Sequence, residues 1–493
     1  MGARVSADDT NLGMSSDINN AHRLSDWSQW TVTVAGIGIA GFSCADALMQ
    51  LGATVIVIDA GDGEKQRERA EILSTLDADV RLGYDGMAPD CDLLIVSPGL
   101  RPSAPVIVDA LERGIPVWGE LELAWRLRDL ETAAAWLTVT GTNGKTTTTL
   151  MLESMLRAAG YRTTSAGNIG NSLVGVVMHD ELDVIAVEVG APQLPFVHSV
   201  SAVASVCLNI ADDHIDHFGS MEDYVAAKAR IFERTQEAVI FNVEDSVTLT
   251  MVENAEVIDG CRAIGFTLGA PAISMLGVVD EYLVDRAFIE ERQTTAQELA
   301  VIDDVQPAAP HNVANALAAA ALARAFGVPA TAVQQGLQDF VPAAHRIAHV
   351  GEVGGVTFID DSKATNAHAA QTSLLAYPSI IWIAGGMAKG QEFDDLVKLT
   401  ASHMRGVVLL GVDREVIAGA LGRHAPDVPR VDLDRTDTGA MELAVREAMA
   451  MARPGDTVLL APGCASWDMF RDYTHRGTEF AEAVARLAEE AGA

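Results

Sequence analysis

Positive charge is scarce in this chain, and lysine is its scarcest source. The 493 residues include 34 lysines and arginines against 68 aspartates and glutamates, so the net charge is −34. This acidity argues against binding to nucleic acid, because a phosphate backbone requires a positive protein surface. The few lysines are Lys65, Lys145, Lys228, Lys363, Lys389 and Lys398. Any anionic ligand would therefore have to be held by a small number of local cations.

Cysteine and long apolar runs are limited as well. The five cysteines are widely spaced, and their odd number does not favour a disulfide framework. No run reaches the roughly 18 to 20 apolar residues that a membrane span requires. Residues 1–29 are polar and lack the apolar centre of a signal peptide, so we predict a disordered tail. These features predict a cytoplasmic protein that does not insert into membranes.

Residues 137–148 predict a phosphate-binding loop. A β-branched run predicts a strand, Gly141 and Gly144 predict a turn, and Lys145-Thr146 opens a run with helical spacing. In such loops the backbone N–H groups face the anion, the lysine reaches the β- and γ-phosphates, and the threonine hydroxyl ligates Mg²⁺. The loop is shorter than the general pattern, since Val139 occupies the position of the first glycine. We predict an ATP site here.

A second glycine-rich stretch, Gly36–Gly41, follows the first buried strand. Asp59 ends the next strand, at the offset where an acidic residue caps a ribose in dinucleotide-binding folds. Taken alone, this pattern predicts NAD(H) or another nucleotide bound through its diphosphate. Ser97-Pro98-Gly99 follows a further strand, at the end where open α/β sheets bind ligands.

Several polar residues of the central part of the chain are candidates for a metal or nucleotide site. Glu188 ends a buried strand, as a metal-binding or water-orienting acid does in nucleotide hydrolases. His214 and His217 lie in an acidic loop without a suitably spaced third zinc ligand, and one of them could face Mg²⁺ or phosphate. Among its small neighbours, Lys228 is expected to extend toward solvent. Asn315 is expected to cap its helix or to contact a nucleobase.

The last part of the chain again alternates strands and helices, which predicts a second doubly wound sheet. Lys363, Lys389 and Ser466 follow three of its strands, so they should gather at one edge. Such a cluster predicts a site for a small anion that bears carboxylates. The whole chain is thus predicted to be an α/β protein of three domains. They are a Rossmann-like domain at 30–127, a central P-loop ATPase-type domain at 128–341 and a Rossmann-like domain at 342–493.

Motifs spread over nearly the whole chain resemble the Mur ligase family. They lie at residues 97–99, 140–146, 167–170, 311–315, 345–346, 361–366 and 464–468. The resemblance implies an ATP-dependent ligase that joins D-glutamate to UDP-N-acetylmuramoyl-L-alanine through an acyl phosphate, in peptidoglycan precursor synthesis. It also implies two Mg²⁺ ions, small-molecule substrates as the partners, and a monomer.

Three alternatives remain open from the sequence. One is a related ligase that adds a different amino acid or acts on a folate. Another is a nucleotide-binding homologue with weak activity. The third is a nicotinamide-dependent oxidoreductase built on Gly36–Gly41, which leaves the phosphate loop unexplained.

The resemblance assigns roles residue by residue. The catalytic residues would be Lys145, Lys228, His214 and Glu188. The metal ligands would be Thr146, Glu188, His214 and Lys228, the last as a carbamate formed with CO₂. ATP would be bound by Gly141, Thr142, Asn143, Gly144, Lys145, Thr146, Thr147, Asn315 and Arg346. The UDP substrate would contact Gly38, Ile39, Ala40, Asp59, Ser97, Pro98, Gly99 and Asn168. D-Glutamate would contact Lys363, Thr365, Lys389, Ser466 and Tyr473.

The chain departs from the family pattern at a few positions. After Glu188 the family usually has Leu-Ser-Ser-Phe-Gln, whereas this chain has Val-Gly-Ala-Pro-Gln at 189–193. The missing serines would touch the muramoyl-alanine end, so contacts with the acceptor are expected to differ. Met387-Ala388 replaces a common polar pair, and Tyr473 stands where phenylalanine is usual.

Overall fold

The computed structural model of the protein describes residues 17–129, 131–179, 181–213, 215–342, 345–435 and 437–492. The chain divides into two compact units, Met1–Phe340 and Val341–Ala493. No helix in these described ranges is long and apolar enough to cross a membrane.

The first sheet of the first unit is parallel. Its strands are β1 (Thr31–Ala35), β2 (Thr54–Asp59), β3 (Asp79–Leu82), β4 (Leu93–Val96) and β5 (Val117–Gly119). They lie in the order β3-β2-β1-β4-β5. The helices are α1 (Ile39–Gln50), α2 (Glu64–Thr75), α3 (Pro105–Glu112) and α4 (Glu120–Arg126). The strand order reverses between β1 and β4, so the loops that follow these two strands meet at the edge where such sheets bind ligands.

The second sheet of this unit has mixed strand directions. Its strands are β6 (Ala135–Thr140), β7 (Thr163–Gly167), β8 (Val184–Glu188), β9 (Ala204–Cys207), β10 (Ala238–Asn242), β11 (Arg262–Phe266), β12 (Met275–Val279), β13 (Tyr282–Asp285) and β14 (Gln297–Val301). The order is β14-β13-β12-β11-β10-β9-β6-β8-β7. Only the β12–β13 and β13–β14 pairs of the described strands are antiparallel. Here the order reverses between β6 and β9, which brings the loop after β6 beside the loop after β9.

The helices that accompany this sheet are α5 (Lys145–Ala158), α6 (Leu173–His179), α7 (Ile215–Phe218), α8 (Met221–Ala229), α9 (Ser246–Glu253), α10 (Pro310–Ala325) and α11 (Ala330–Gln338). Proline is the first residue of α10, where its missing N–H costs no helix hydrogen bond. The alanines at 316 and 318–321 of α10 are fully buried in one apolar cluster with Met151 and Leu152 of α5. Their small side chains allow close packing of the helix that carries Asn315.

The second unit contains one sheet. Its strands are β15 (Ala348–Val353), β16 (Val356–Asp360), β17 (Ile380–Gly385), β18 (Met404–Leu410), β19 (Arg430–Asp432) and β20 (Thr457–Leu460). Its helices are α12 (Ala367–Leu375), α13 (Asp394–Thr400), α14 (Arg414–His424), α15 (Ala440–Met451) and α16 (Tyr473–Gly492). The order is β15-β16-β20-β17-β18-β19, and only β15 is antiparallel among the described strands. The ends of β16, β20 and β17 therefore adjoin, and the predicted α/β class with three sheets is confirmed.

Buried carboxylates of α4 connect the two sheets of the first unit. Glu120 accepts hydrogen bonds from Ser172 Oγ at 2.7 Å and from Leu173 N at 2.8 Å, at the start of α6. Glu122 accepts from the backbone N–H groups of His198 and Ser199 at 2.7 and 2.8 Å. Anionic groups are stabilised at such free N–H groups. The short helix α4 thus fixes the first sheet to the loops of the second.

The predicted disordered tail is wrong for residues 17–29, while residues 1–16 lie outside the described ranges. Ile18–Asn20 and Trp27–Gln29 are single 3₁₀ turns, capped by the carboxylates of Asp17 and Asp26. Trp27 is fully buried, and its Nε1 donates to the carbonyl oxygen of His22 at 3.0 Å. The prediction failed because the polar composition of the segment conceals a few buried apolar side chains, Trp27 together with Ile18 and Ala21.

We expect Trp27→Ala to destabilise the first unit by about 3–5 kcal/mol, because it removes a buried aromatic side chain and leaves a cavity. Urea unfolding of the purified protein measures this change. Leu24→Ala is the matched control, since Leu24 is 74% exposed and surface substitutions stay within about 0.5 kcal/mol. Equal unfolding midpoints for the two variants would show that residues 17–29 are not anchored by Trp27.

Candidate active site

The phosphate loop joins β6 to α5 as the sequence predicts. Gly144 precedes the first residue of α5 with φ of +83°, a conformation that favours glycine. A Cβ at this position would collide with the side-chain amide of Asn315. Asn315 therefore lies against the loop. The prediction that it caps its own helix is wrong, because α10 begins at Pro310 and no side chain caps it.

Asn209 braces the loop, and sequence reasoning missed it. Its side-chain oxygen accepts from Asn143 N at 2.8 Å, and its Nδ2 donates to Asn143 O at 3.1 Å. Its carbonyl oxygen also accepts from Thr142 N at 2.9 Å. The sequence predicts a strand over residues 202–210, but β9 ends at Cys207. The correct strand end would have placed Asn209 at the ligand-binding edge.

Two lysines converge on one carbonyl oxygen. Lys145 Nζ donates to Gly141 O at 2.8 Å and to Thr142 O at 2.9 Å. Lys228 Nζ also donates to Gly141 O, at 2.8 Å. Lys228 is only 1% exposed, so the expectation that it extends to solvent is wrong. It is buried because α8 turns this face toward the loop.

The environment of Lys228 favours an uncharged amine. Burial lowers its pKa to about 7, and the neighbouring charge of Lys145 acts in the same direction. Its Nζ lies 5.0 Å from the ring centroid of Tyr224, whose hydroxyl is 2.9 Å from Thr142 Oγ1. Tyr224 was also missed by sequence reasoning. Its position one helical turn before Lys228 was the available signal.

Hydroxyl and carboxylate oxygens meet at the start of α5. Thr146 Oγ1 donates to Glu188 Oε2 at 2.6 Å, and Asn168 Nδ2 donates to Glu188 Oε1 at 2.9 Å. Glu188 is 2% exposed. Oxygen atoms of this kind are the ligands that Mg²⁺ prefers, so Thr146 and Glu188 fit a Mg²⁺ site. His214, a further predicted ligand beside Lys228, lies outside the described residues, and Thr147 is half-buried in the first turn of α5.

The departure from the family pattern at 189–193 has a local structural effect. Gly190 N donates to the buried Gln193 Oε1 at 2.8 Å, and residues Ala191–Phe196 form a 3₁₀ helix. A Cβ at Gly190 would stand 3.1 Å from Asn168 Oδ1, a tight contact. Asn168, predicted to contact the UDP substrate, thus lies between Gly190 and the Glu188 carboxylate.

The loop that follows β1 is closely packed against the loop after β4. Ser97 Oγ donates to Gly36 O at 3.2 Å. A Cβ at Gly36 would lie 2.6 Å from Ser97 Oγ, and one at Gly41 would overlap the Gly36 carbonyl. Both glycines are therefore required by packing. Positions 38 and 99 have open space where a Cβ would be, as a ligand-binding edge needs.

Asp59 holds this loop in place. Its Oδ2 accepts from Ile37 N at 2.7 Å, and its Oδ1 accepts from Gly61 N at 2.7 Å. Both carboxylate oxygens are thus bonded to backbone amides, so Asp59 fixes the shape of this loop. Ile39 and Ala40 begin α1 beside the open space, and Ile39 is an exposed apolar side chain.

In the second unit, two lysines lie over aromatic rings. Lys363 Nζ is 4.0 Å from the ring centroid of Tyr473, and Lys389 Nζ is 4.1 Å from that of Trp467. Trp467, which sequence reasoning missed, is 64% exposed and adjoins the buried Ser466. The predicted edge cluster thus consists of two ammonium groups held on aromatic faces. Thr365 and Arg346 are half-buried residues of the same unit.

Arg476 braces the backbone of this edge. It is buried, and its Nη2 and Nη1 donate to the carbonyl oxygens of Ser362 and Cys464 at 2.8 and 3.0 Å. Burial lowers its pKa to about 10. One side chain therefore connects the loop that carries Lys363 to the loop that carries Ser466. Its location on α16, far along the chain, gave no sequence signal.

The fold and the site together define an α/β protein of the phosphate-loop class, with hydroxyl and carboxylate oxygens gathered beside the loop. Three family models match the chain. They are the Mur ligase MurD-like N-terminal domain at 30–119, the Mur ligase middle domain at 139–323, and the Mur ligase glutamate ligase domain at 345–464.

Relatives and solved structures agree with these matches. A protein of Streptomyces avermitilis named UDP-N-acetylmuramoylalanine–D-glutamate ligase is 57% identical over 94% of this chain and 100% of its own length. The pseudomurein peptide ligase type C of Methanothermus fervidus has a TM-score of 0.56 at 17% identity, over 93% of this chain and 100% of its own. The MurF ligase of Thermotoga maritima, solved in complex with ADP, has a TM-score of 0.54 at 15% identity, over 89% and 95%. The chain belongs to the Mur ligase family.

The burial of Lys228 predicts a pH dependence of stability. Below pH of about 7 the folded and unfolded chains both hold the proton, so the cost of burying the charge is fully present. Between about 7 and the ordinary value of 10.5 the unfolded chain holds a proton that the folded chain has released. The free energy of unfolding should therefore rise with pH in this window, relative to Lys228→Met.

Urea unfolding from pH 6 to 10 in CO₂-depleted buffer measures this difference. Lys398→Met, which alters an exposed lysine paired with Asp395, should show no such relative change. A constant difference between wild type and Lys228→Met would contradict the lowered pKa.

Proposed function

We propose that this protein joins D-glutamate to UDP-N-acetylmuramoyl-L-alanine with consumption of ATP, in peptidoglycan precursor synthesis. The observation that carries the proposal is the bonding of Thr146 at the phosphate loop to the Glu188 carboxylate, at 2.6 Å. The name of the 57% identical relative supports the choice of substrates. We also propose domain limits at 127/128 and 341/342, and the three matched segments fall within them.

The phosphate loop would bind ATP through residues 141–147. Free N–H groups at the start of α5 face the phosphates, and Lys145 can leave its two carbonyl acceptors for the more strongly attracting anion. Asn315 lies against the same loop and would contact the nucleotide, with Arg346 as a further contact. Thr146, Glu188 and His214 would hold Mg²⁺, which neutralises the charge of the transferring phosphoryl group.

Lys228 would act as a carbamate. A neutral amine reacts with CO₂, and the pKa of about 7 leaves a large neutral fraction near neutral pH. The carbamate would turn a buried amine into a carboxylate oriented toward Mg²⁺. Arginine could not replace it, because its guanidinium stays protonated.

The two substrates would use the remaining edges. The UDP moiety is assigned to residues 38–40 and 97–99, with Asp59 holding the loop and Asn168 beside Glu188. D-Glutamate carries two carboxylates, and the ammonium groups of Lys363 and Lys389 would bind them. The further proposed contacts of D-glutamate are Thr365, Ser466 and Tyr473. Charge-assisted hydrogen bonds of this type are about twice as strong as neutral ones.

The reaction would proceed in two steps. The terminal carboxylate of UDP-N-acetylmuramoyl-L-alanine attacks the γ-phosphorus of ATP, which releases ADP and forms an acyl phosphate. The amine of D-glutamate then attacks the acyl carbon, and the tetrahedral intermediate loses phosphate to give the amide. Positioning and electrostatic stabilisation by Lys145 carry most of the first step.

The proposed compartment is the cytoplasm. The five cysteines are all free thiols, which suits a reducing environment. The proposed use of ATP as a substrate also favours the cytoplasm. A monomer remains our prediction.

Phosphate release from ATP tests the function directly. With UDP-N-acetylmuramoyl-L-alanine as the acceptor, we expect phosphate release with D-glutamate and little with L-glutamate or other amino acids. When a folate replaces this acceptor, we also expect little phosphate release. Lys145→Ala should reduce the rate at least about a hundredfold, because the transferring group loses a fixed positive charge. Lys398→Ala, at an exposed lysine, is the matched control and should keep its activity. Release with another amino acid, or near-normal turnover of Lys145→Ala, would refute the assignment.

Lys228→Ala should lose most activity and recover part of it when short carboxylic acids are added. The added carboxylate would occupy the space of the carbamate and restore an oxygen ligand. The measurement is the rate of phosphate release against acetate or propionate concentration. Chloride at the same ionic strength is the control. Full activity of the variant without added acid would exclude a carbamate role.

A further inference from the structure

Arg69 is bonded to the glycine-rich loop of the first sheet. It lies on α2, is half-buried, and its Nη1 donates to the carbonyl oxygen of Ile37 at 3.1 Å. In the described parts of the chain, Arg69 is the basic side chain that forms a hydrogen bond with residues 36–41. Ile37 directly precedes Gly38, the residue before the first turn of α1. The guanidinium is therefore bonded to the residue before the open position 38, while none of its atoms lies within 4 Å of a Cβ built at Gly38.

The charge of Arg69 is not neutralised by an acidic partner in the described parts of the chain. Other arginines of the described residues, such as Arg23, Arg262 and Arg286, also bond to backbone carbonyl oxygens and have no carboxylate partner. Arg67, two positions away on the same helix, shows the paired case. Its Nε and Nη2 donate to the two carboxylate oxygens of Asp62, both at 2.8 Å. A basic side chain left without a carboxylate in so acidic a protein is available to an anionic ligand.

The acid closest to the loop does not compete for Arg69. The two oxygens of Asp59 are each bonded to a backbone N–H, of Ile37 and of Gly61. Space is open at Gly38 and at Gly99. An anion at this edge would thus meet free N–H groups of α1 and one guanidinium. Guanidinium matches phosphate oxygens in charge and in its planar pair of donors.

We propose that Arg69 binds the diphosphate of the UDP substrate. This inference rests on the proposed function, and it adds a residue from outside the motifs that carry the family resemblance. Arg69 would supply charge at a loop whose other contacts with the ligand are backbone N–H groups. It would thereby distinguish a nucleoside diphosphate from the bare nucleoside.

Calorimetric binding of UDP and of uridine tests this role. The variants are Arg69→Ala, Arg69→Lys and the control Arg67→Ala. In Arg69→Ala we expect the UDP affinity to fall about tenfold to a hundredfold, as for a lost hydrogen bond to a charged group, while uridine affinity is kept. Arg69→Lys should retain part of the UDP affinity, and Arg67→Ala should bind both ligands like wild type.

The outcomes separate the inference from the function beneath it. Wild-type affinity for UDP in Arg69→Ala would overturn the role of Arg69 alone. An equal loss of UDP and uridine would also overturn it, since that result shows a role in loop structure rather than in contact with phosphate. If the wild-type protein binds neither UDP nor UDP-N-acetylmuramoyl-L-alanine, the proposed function and this inference fail together.

Discussion

The carbonyl oxygen of Gly141 accepts hydrogen bonds from two lysine amines, Lys145 and Lys228, each at 2.8 Å. Two full charges at one acceptor in a buried place repel each other, and the more deeply buried amine loses its proton more readily. The arrangement thus gives two identical side chains different chemistry. Lys145 at the start of α5 is suited to bind an anion, and Lys228 is suited to react as a neutral amine. Asn209, Tyr224 and Asn315 fix the loop that makes this possible.

The three sheets could be predicted from the sequence because buried parallel strands form short apolar runs. The phosphate loop could be predicted because its residue types follow directly from its chemistry. Contacts between distant parts of the chain could not be predicted from the sequence. Nothing in the sequence shows that Lys228 is buried, that Asn209 braces Asn143, or that Arg476 connects two loops. Each of these contacts depends on how helices and loops pack once the strand order has brought them together. Asn209 was missed for a second reason, because the predicted end of its strand lay three residues beyond the observed end at Cys207.

The acid excess of the chain has specific structural uses. Glu120 and Glu122 bind the free N–H groups of segments in the second sheet, and Asp59 does the same for the loop after β1. These carboxylates substitute for capping by neutral residues at buried positions. A carboxylate that is bonded to backbone amides no longer repels an anionic ligand as a free one would. The protein can therefore be strongly acidic and still form edges that accept phosphate.

Trp467 gives the second unit a natural optical reporter. The chain has seven tryptophans, all in the described ranges, and Trp467 is the one whose side chain is mostly exposed. An aqueous quencher of fluorescence would reach it before the half-buried Trp125 and well before the five buried indoles. Because Lys389 lies on its ring, movement of that ammonium group would change the emission of Trp467. Ligand binding at this sheet edge could thus be followed by tryptophan fluorescence in the unmodified protein, without a label.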